Sequence, residues 1–139
     1  FEGKTIYFKD SSCEEFDSVI ACTGFELAHP FFDKKFLNYT EGPVPLYLKM
    51  FHAEYDNLYF IGMFQPLGCI WPGAEQQSIL ATLALKGLWK RPSNMKDLCE
   101  REVTNPHMKQ INTSRHRITV DFHQFLKDLK KQIKKVKKI

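Results

Sequence analysis

Residues 57–78 read NLYFIGMFQPLGCIWPGAEQQS and bring an apolar run, a glycine-containing loop and a helix start into immediate succession. The apolar run over residues 58–63 predicts a buried strand. Pro72 is typical of the start of a helix, and Glu75 would then lie in its first turn. This order of strand, loop and helix predicts a unit of an α/β fold.

The helix that this stretch begins is predicted to cover residues 73–86. Its apolar face has four members at helical spacing: Ile79, Leu80, Leu83 and Ala84. Gly87 comes directly afterwards and is typical of a helix end. Trp71 and Trp89 lie on either side of the helix, and core packing is the role expected for both.

Two interpretations of the loop between strand and helix remain open. Gly62 and Gly68 lack Cβ atoms, so a flat ligand could approach the backbone where the chain leaves the strand. Gln65 offers a donor and an acceptor, and a helix N-terminus adds about half a positive charge, which suits a ring that becomes negative on reduction. The alternative is an ordinary strand–loop–helix unit, because glycines that serve turns after a strand are common.

The chain before this unit is predicted to contain short strands. Residues 4–9 and 14–16 are expected to form a hairpin or meander arm that leads into a buried, central strand at Ser18–Cys22. Residues 25–45 are rich in Pro and Gly and predict a long loop, followed by a short strand at Leu46–Met50.

The chain after this unit is predicted to be mainly helical. Ser93 is expected to cap a helix that runs to about Glu102, and residues 117–122 are expected to be extended. The last helix has an apolar stripe on one side: Phe122, Phe125, Leu126, Leu129, Ile133 and Val136.

Charge is distributed unevenly along the 139 residues. The net charge is +4, but residues 127–139 carry seven Lys and one Asp, hence +6, which leaves −2 for residues 1–126. A nearly neutral body argues against a nucleic-acid-binding protein. The basic tail predicts an amphipathic helix that either docks its stripe on the body or adsorbs to an anionic membrane surface, where each lysine contributes on the order of 1 kcal/mol.

The cysteines and histidines show no spacing typical of a metal or catalytic site. The cysteines are interpreted as reduced, partly buried thiols, and the histidines as surface or capping residues; they are Cys13, Cys22, Cys69 and Cys99, and His29, His52, His107, His116 and His123. With no signal peptide and no run of 18 apolar residues, a cytoplasmic location is expected. A loose dilysine pattern over residues 135–139 makes the cytosolic face of the endoplasmic reticulum the alternative.

Three segments, in the same order along the chain, resemble the flavin-containing monooxygenases. Residues 17–25, DSVIACTGF, resemble the D-x-V-I-x-A-T-G-Y/F strand end that these enzymes share with their Baeyer–Villiger relatives, with Cys22 where Ala is more frequent. Residues 57–78 resemble the late flavin-domain segment with its Ile-Gly, Gln-Pro-Leu-Gly and Pro-x-Ala-Glu-x-Gln elements. Residues 115–129 resemble the C-terminal R-H-T-x-x-V-D-Y-x-x-Y-x-x-x-L stretch.

The resemblance implies the C-terminal fragment of an α/β flavoprotein with two dinucleotide-binding domains, for FAD and NADPH, and a basic C-terminal helix. Residues 1–45 would end the NADPH-binding domain, residues 46–126 would complete the FAD-binding domain, and residues 127–139 would form the helix. Such enzymes use O2 and a C4a-hydroperoxyflavin to oxygenate soft nitrogen or sulfur nucleophiles, so the expected substrate is a small amine or sulfide.

The resemblance also implies a set of cofactor-binding residues: Thr23, Gly24, Gly62, Gln65, Pro66, Leu67, Gly68 and Glu75. No metal is expected, because the Cys and His residues are not clustered. Thr23 and Gly24 would lie where the NADPH-binding domain returns the chain to the flavin domain, and Gln65 would face the flavin–nicotinamide region. The helix would direct its N-terminus at the flavin pyrimidine edge. For Glu75, helix capping and dipole matching are alternatives to direct ligation.

The sequence departs from the family in lacking both G-x-G-x-x-G fingerprints and hence a pyrophosphate cradle. This chain alone is therefore expected neither to hold FAD tightly nor to turn over, and it carries no catalytic residue. The alternative functions are a Baeyer–Villiger or amine N-hydroxylating monooxygenase, and a non-catalytic module whose basic tail binds acidic membrane or protein partners, with peripheral membrane contact.

Overall fold

The computed structural model describes residues 3–24, 28–33, 44–105 and 117–136. These residues form a small α/β arrangement, in agreement with the predicted class, although helices dominate it. Its elements in chain order are strands β1 (Thr5–Tyr7) and β2 (Cys13–Glu15) and helices α1 (Trp71–Leu85), α2 (Met95–Thr104) and α3 (Phe122–Val136).

The two strands form the predicted hairpin arm. They pair antiparallel, with Thr5 opposite Glu15 and Tyr7 opposite Cys13. Asp10 stabilises the connecting turn by accepting hydrogen bonds from the Ser12 N–H at 3.0 Å and the Ser12 hydroxyl at 2.7 Å. These bonds favour the ionised carboxylate and lower the pKa of Asp10.

The buried central strand predicted at Ser18–Cys22 is wrong. These residues are exposed and belong to no strand, and Ile20 is 85% accessible. An apolar run becomes a central strand only when strands pair with both of its edges. No such neighbour occurs within the described ranges, where β1 and β2 pair with each other alone.

The short strand predicted at Leu46–Met50 is also wrong, because the chain reverses direction there. Leu48 and Lys49 have φ values of +53° and +54°. The Met50 N–H donates to the Tyr47 carbonyl at 3.2 Å and closes the reversal. We name residues 46–51 the 46–51 turn. This turn is buried, as expected of an apolar segment, although its backbone does not form a strand.

Residues 58–63 form single bridging contacts in place of the predicted strand. Tyr59 pairs with Phe51 across one isolated bridge, and the Phe60 N–H donates to the Met50 carbonyl at 3.0 Å. Phe60 and Met63 are buried, as the apolar run predicted, although residues 58–63 form no regular ladder with another described segment.

Helix α1 confirms the helix predicted over residues 73–86, although it begins two residues earlier, at Trp71. Pro72 lies in the first turn, as predicted. Gly87 ends the helix with φ +69°. The Gly87 N–H donates to the Ala84 carbonyl and the Leu88 N–H to the Leu83 carbonyl, both at 2.9 Å, which is the Schellman arrangement.

The buried face of α1 differs in part from the predicted apolar face. Leu80 is fully buried, and Leu83 and Ala84 pack against the main core, which is the buried cluster around Phe51, Phe64 and Leu129. Ile79, in contrast, is 39% exposed. Gly73, Gln77 and Ala81 complete the buried face.

The two tryptophans beside α1 have different environments. Trp89 is buried and stacks on Phe51 with ring centroids 4.6 Å apart, as expected of a core residue. Trp71 is 75% exposed, so its predicted core role is wrong. It lies at the first position of α1, ahead of the turns that pack against the core.

Helix α2 extends two residues beyond its predicted end at Glu102. Asn94 occupies the N-cap position and Ser93 lies in the preceding turn, so the predicted Ser93 cap is displaced by one residue.

The extended piece predicted at residues 117–122 is confirmed only in part, because residues 117 and 118 lie in a turn and α3 begins at Phe122. Thr119 forms a parallel bridge with Gln65. The Gln65 N–H donates to the Ile118 carbonyl at 2.7 Å, and the Val120 N–H donates to the Gln65 carbonyl at 3.1 Å. The predicted domain boundary at residues 126/127 falls inside α3.

The apolar stripe of α3 docks on the body. Phe125, Leu129 and Ile133 are buried in the main core, and α3 packs against α1. Phe64 lies between the two helices, 4.7 Å from the Phe125 ring between centroids. Gly73 allows this approach, because a Cβ atom there would lie 2.3 Å from Cζ of Phe64.

All four cysteines are free, but none is partly buried, so that part of the prediction is wrong. Cys13, Cys22 and Cys69 are exposed. Cys99 is buried in α2, and its thiol donates to the Phe51 carbonyl at 3.5 Å. Burial disfavours the thiolate and raises the pKa of Cys99.

We expect Gly73→Ala to destabilise the protein. Overpacking against Phe64 costs about 1–3 kcal/mol, which exceeds the gain of about 1 kcal/mol in helix propensity. Urea denaturation measures the change, and the same substitution in a Phe64→Leu background is the control. An equal cost in both backgrounds would contradict the proposed contact.

Candidate functional site

The loop between residues 61 and 70 is positioned by the side-chain amide of Gln77, which is fully buried in α1. The Gly62 N–H donates to Gln77 Oε1 at 2.8 Å. Gln77 Nε2 donates to the Leu48 carbonyl at 3.0 Å. One side chain therefore joins α1, the loop and the 46–51 turn.

The 46–51 turn is also held from α2 by Glu102. Glu102 Oε1 accepts the Leu48 N–H at 3.2 Å, and Oε2 lies 3.1 Å from the Lys49 ammonium. The side chains of Lys49 and Glu102 are only 6% and 10% exposed. The carboxylate thus holds the two residues whose left-handed backbone is unfavourable for L-amino acids.

Helix α3 reaches the same turn through Gln132. Its Nε2 donates to the Tyr47 hydroxyl at 2.9 Å, and its Oε1 accepts from the Trp89 indole at 3.5 Å. Burial raises the pKa of Tyr47 to about 12, and the negative charges of Glu102 and Asp128 act in the same direction.

The backbone is open at both glycines of the loop. Gly62 has φ +81° and Gly68 has φ +118°, conformations that L side chains rarely adopt. A Cβ atom at Gly68 would meet nothing within 4 Å, and one at Gly62 would meet only Ile70 Cδ1 at 3.8 Å. A flat group can therefore approach the main chain at these two points.

The surface of the loop is apolar and faces outward. Leu67 is 90% exposed, and Trp71 and Ile61 are also exposed. Pro66 is half-buried, and Gln65 is exposed while its backbone pairs with residues 118–120.

The N-terminus of α1 offers fewer free donors than expected. Pro72 has no N–H, and the Gly73 N–H bonds to the Ile70 carbonyl at 3.1 Å. The helix dipole remains, since the peptide units are aligned. Because α1 begins at Trp71, Glu75 is an exposed residue of the second turn and not of the first, so the first-turn prediction is wrong.

Thr23 and Gly24 are exposed, and Gly24 has φ +86°. Within the described ranges, neither residue hydrogen-bonds to the 61–70 loop. The structure therefore brings six of the eight predicted site residues into one segment around the start of α1, and leaves these two in the exposed segment after β2.

The described histidines cap a turn, contact aromatic rings or lie on the surface. The buried His52 caps a turn, since Nδ1 accepts from the Glu54 N–H at 3.1 Å and the Tyr55 N–H at 3.4 Å. His29 contacts the Phe32 and Phe60 rings, and His123 is exposed on α3. His107 and His116 lie outside the described residues. No three His, Cys, Asp or Glu side chains in the described part are grouped to hold a metal ion.

Comparisons with known proteins identify the family. A family model described as flavin-binding monooxygenase-like matches residues 1–139. The chain belongs to this family. Flavin-containing monooxygenase 5 of Rattus norvegicus is 35% identical over 134 residues, which are 93% of this chain and 25% of the relative.

Other relatives give the same result. Dimethylaniline monooxygenase [N-oxide-forming] 2 of Rattus norvegicus is 36% identical over 102 residues, 69% of this chain and 19% of the relative. Flavin-containing monooxygenase 5 of Homo sapiens is 32% identical over 134 residues, with 93% and 25% covered. The chain spans about a quarter of the length of these two flavin-containing monooxygenase 5 relatives.

Sequence reasoning about this member of the flavin-binding monooxygenase-like family missed Gln77, Glu102 and Gly73. Gln77 could have been found, since a polar residue three before Leu80 lies on the predicted apolar face. Gly73 could have been noticed as a glycine in a first helical turn. Glu102 gave no signal, because its partner Leu48 is 54 residues away.

We expect the free energy of unfolding to fall as pH rises from about 10, the ordinary value for tyrosine, to about 12. Folded Tyr47 keeps its proton in this window while the unfolded chain loses it, so the stabilisation is complete below pH 10 and is lost above. Urea denaturation of Tyr47→Phe should show a shallower decline. Tyr55→Phe, at an exposed tyrosine, is the control and should follow the wild type; identical curves for all three would contradict the account.

Proposed function

We propose that this chain is part of an NADPH- and FAD-dependent monooxygenase that oxygenates soft nitrogen or sulfur nucleophiles. The relatives' names support the reaction class, and one rat relative is named as an N-oxide-forming dimethylaniline monooxygenase. N,N-Dimethylaniline is therefore the first substrate to assay. The remaining protein, three quarters of a relative's length, would supply the pyrophosphate cradles that this chain lacks.

The observation that carries the proposal is the open backbone of the 61–70 loop beside the start of α1. Gly62 and Gly68 leave their outer faces clear, and Leu67 and Trp71 present apolar surface next to them. An isoalloxazine needs this combination of flat apolar contact and close backbone approach. The residues present therefore fit the flavin.

FAD supplies the redox chemistry when bound, because NADPH reduces it and the reduced flavin activates O2. The chain's own groups have supporting roles in this proposal. The dipole of α1 would stabilise negative charge on the reduced pyrimidine edge. Gln65 would offer donor and acceptor groups to the flavin–nicotinamide region, and Pro66 and Leu67 would shape the loop. Glu75, exposed on the second turn, is given no direct contact.

The proposed architecture keeps the predicted domains. Residues 1–45 would end the NADPH-binding domain, with Thr23 and Gly24 at the return to the flavin domain, and residues 46–126 would complete the FAD-binding domain. The exposed apolar run Ser18–Cys22 supports this, because its Val19 and Ile20 side chains are available to a neighbouring sheet.

We expect the full-length protein to be yellow and to consume NADPH and O2 when given N,N-dimethylaniline or a thioether. Mass spectrometry should detect the N-oxide or sulfoxide. A cyclic ketone converted to a lactone would support the Baeyer–Villiger alternative, and hydroxylation of a primary amine would support the N-hydroxylating one. A colourless preparation without NADPH consumption would overturn the flavoenzyme proposal.

A second candidate function is membrane attachment through α3. Its apolar stripe is docked on the body, so insertion of this helix is not proposed. Its outer face carries five exposed lysines instead: Lys127, Lys130, Lys131, Lys134 and Lys135. None of the three described helices is long and apolar enough to cross a bilayer. We propose that the lysine face binds an anionic lipid surface at the cytosolic side of a membrane.

We expect the protein to co-sediment with phosphatidylserine-containing vesicles and not with neutral ones. Replacing Lys130, Lys131 and Lys134 by Glu should weaken binding at least a hundredfold, since each lysine contributes about 1 kcal/mol. The matched control replaces the exposed Lys86, Lys90 and Lys96 by Glu, with the same change in charge. Equal loss in both triple variants, or capture of an acidic protein without vesicle binding, would contradict the lipid proposal.

A further inference from the structure

We propose that Gln77 is a positioning residue for the flavin, acting through Gly62. The inference rests on the proposed function and extends it to a side chain that is buried too deeply to touch the cofactor surface. Gln77 is fully buried in the second turn of α1, and its two polar atoms bond to backbone groups 15 and 29 residues away.

The two partners of Gln77 both have a left-handed backbone conformation. Gly62 has φ +81° and Leu48 has φ +53°, so each lies where the chain takes a left-handed step. A buried N–H or carbonyl without a partner is unfavourable, so each bond resists rotation of the peptide it engages. Gln77 thus sets the orientation of both peptides with a single amide.

The orientation at Gly62 determines what the loop presents outward. With its N–H directed at Gln77, Gly62 keeps its Cβ position open, since a Cβ atom there would meet only the Ile70 methyl group at 3.8 Å. Ile61, one residue earlier, has its side chain exposed. Because glycine has no side chain of its own to pack, the hydrogen bond to Gln77 is what holds its outward face beside the start of α1.

Glutamine fits this position better than its close analogues. Glutamate keeps an acceptor for the Gly62 N–H but has no N–H for the Leu48 carbonyl. Leucine is one carbon shorter and lacks both groups. Asparagine is one methylene shorter, so it would not reach both partners at 2.8 and 3.0 Å from the same backbone position.

The neighbouring Gln76 provides a matched control. It has the same side chain on the same helix and is only partly buried. Gln76→Leu therefore makes the chemical change of Gln77→Leu without removing the partner of Gly62. Ile133→Val, on the buried face of α3, adds a control that loosens the helix packing away from the loop.

The experiment uses the full-length protein with its FAD removed. FAD is titrated back and its fluorescence gives the dissociation constant, while hydrogen–deuterium exchange reports protection of the Gly62 amide without FAD. For Gln77→Leu we expect a dissociation constant raised about tenfold and faster exchange at Gly62. Gln77→Glu should retain protection at Gly62. Gln76→Leu and Ile133→Val should stay within about twofold of the wild type in both measurements.

Two outcomes overturn the inference. Fast exchange at Gly62 in the wild type would remove the hydrogen bond on which it depends. FAD binding by Gln77→Leu within twofold of the wild type would show that Gly62 does not need Gln77. If Gln77→Leu does not fold, loss of Gly62 protection in Gln77→Glu would count against the inference. A wild type that binds no FAD while Gly62 remains protected refutes the proposed function itself, which is a separate result.

Discussion

The amide of Gln77 is the constraint on which the rest of the structure depends. Its two hydrogen bonds, of 2.8 and 3.0 Å, connect α1 to the loop at Gly62 and to the turn at Leu48. Apolar packing brings these segments together but allows small displacements, because it has little directional preference. A buried amide with both groups satisfied admits few arrangements, so it fixes how the segments lie relative to one another.

The 46–51 turn receives a polar contact from every described helix. Gln77 comes from α1, Glu102 from α2 and Gln132 from α3, and each reaches a group on residues 47–49. Left-handed backbone at two consecutive non-glycine residues is unfavourable and persists only when its surroundings enforce it. The 46–51 turn also supports Gln77, because the Leu48 carbonyl accepts from its amide. Gln77 therefore holds the glycine loop beside α1, as the proposed binding of a flat cofactor requires.

The sequence predicted α1, its Gly87 end and the apolar stripe of α3 because local signals determine them, but it left open whether the stripe docks on the body. It failed at Ser18–Cys22, whose apolar pattern specifies a strand only if other strands pair with it. It failed at Leu46–Met50 because Leu48 and Lys49 have no left-handed preference of their own, and distant partners impose that conformation. The candidate site divides in the same way: Gly62 and Gly68 were visible as glycines, whereas Glu102 depends on a contact across 54 residues.

An experimental structure of the full-length protein with FAD bound would test the central claim most directly. The account predicts that the isoalloxazine lies within about 4 Å of the backbone at Gly62 or Gly68. It also predicts that both hydrogen bonds of Gln77 are retained. A flavin ring bound elsewhere, with the 61–70 loop covered by protein side chains or turned to solvent, would contradict it.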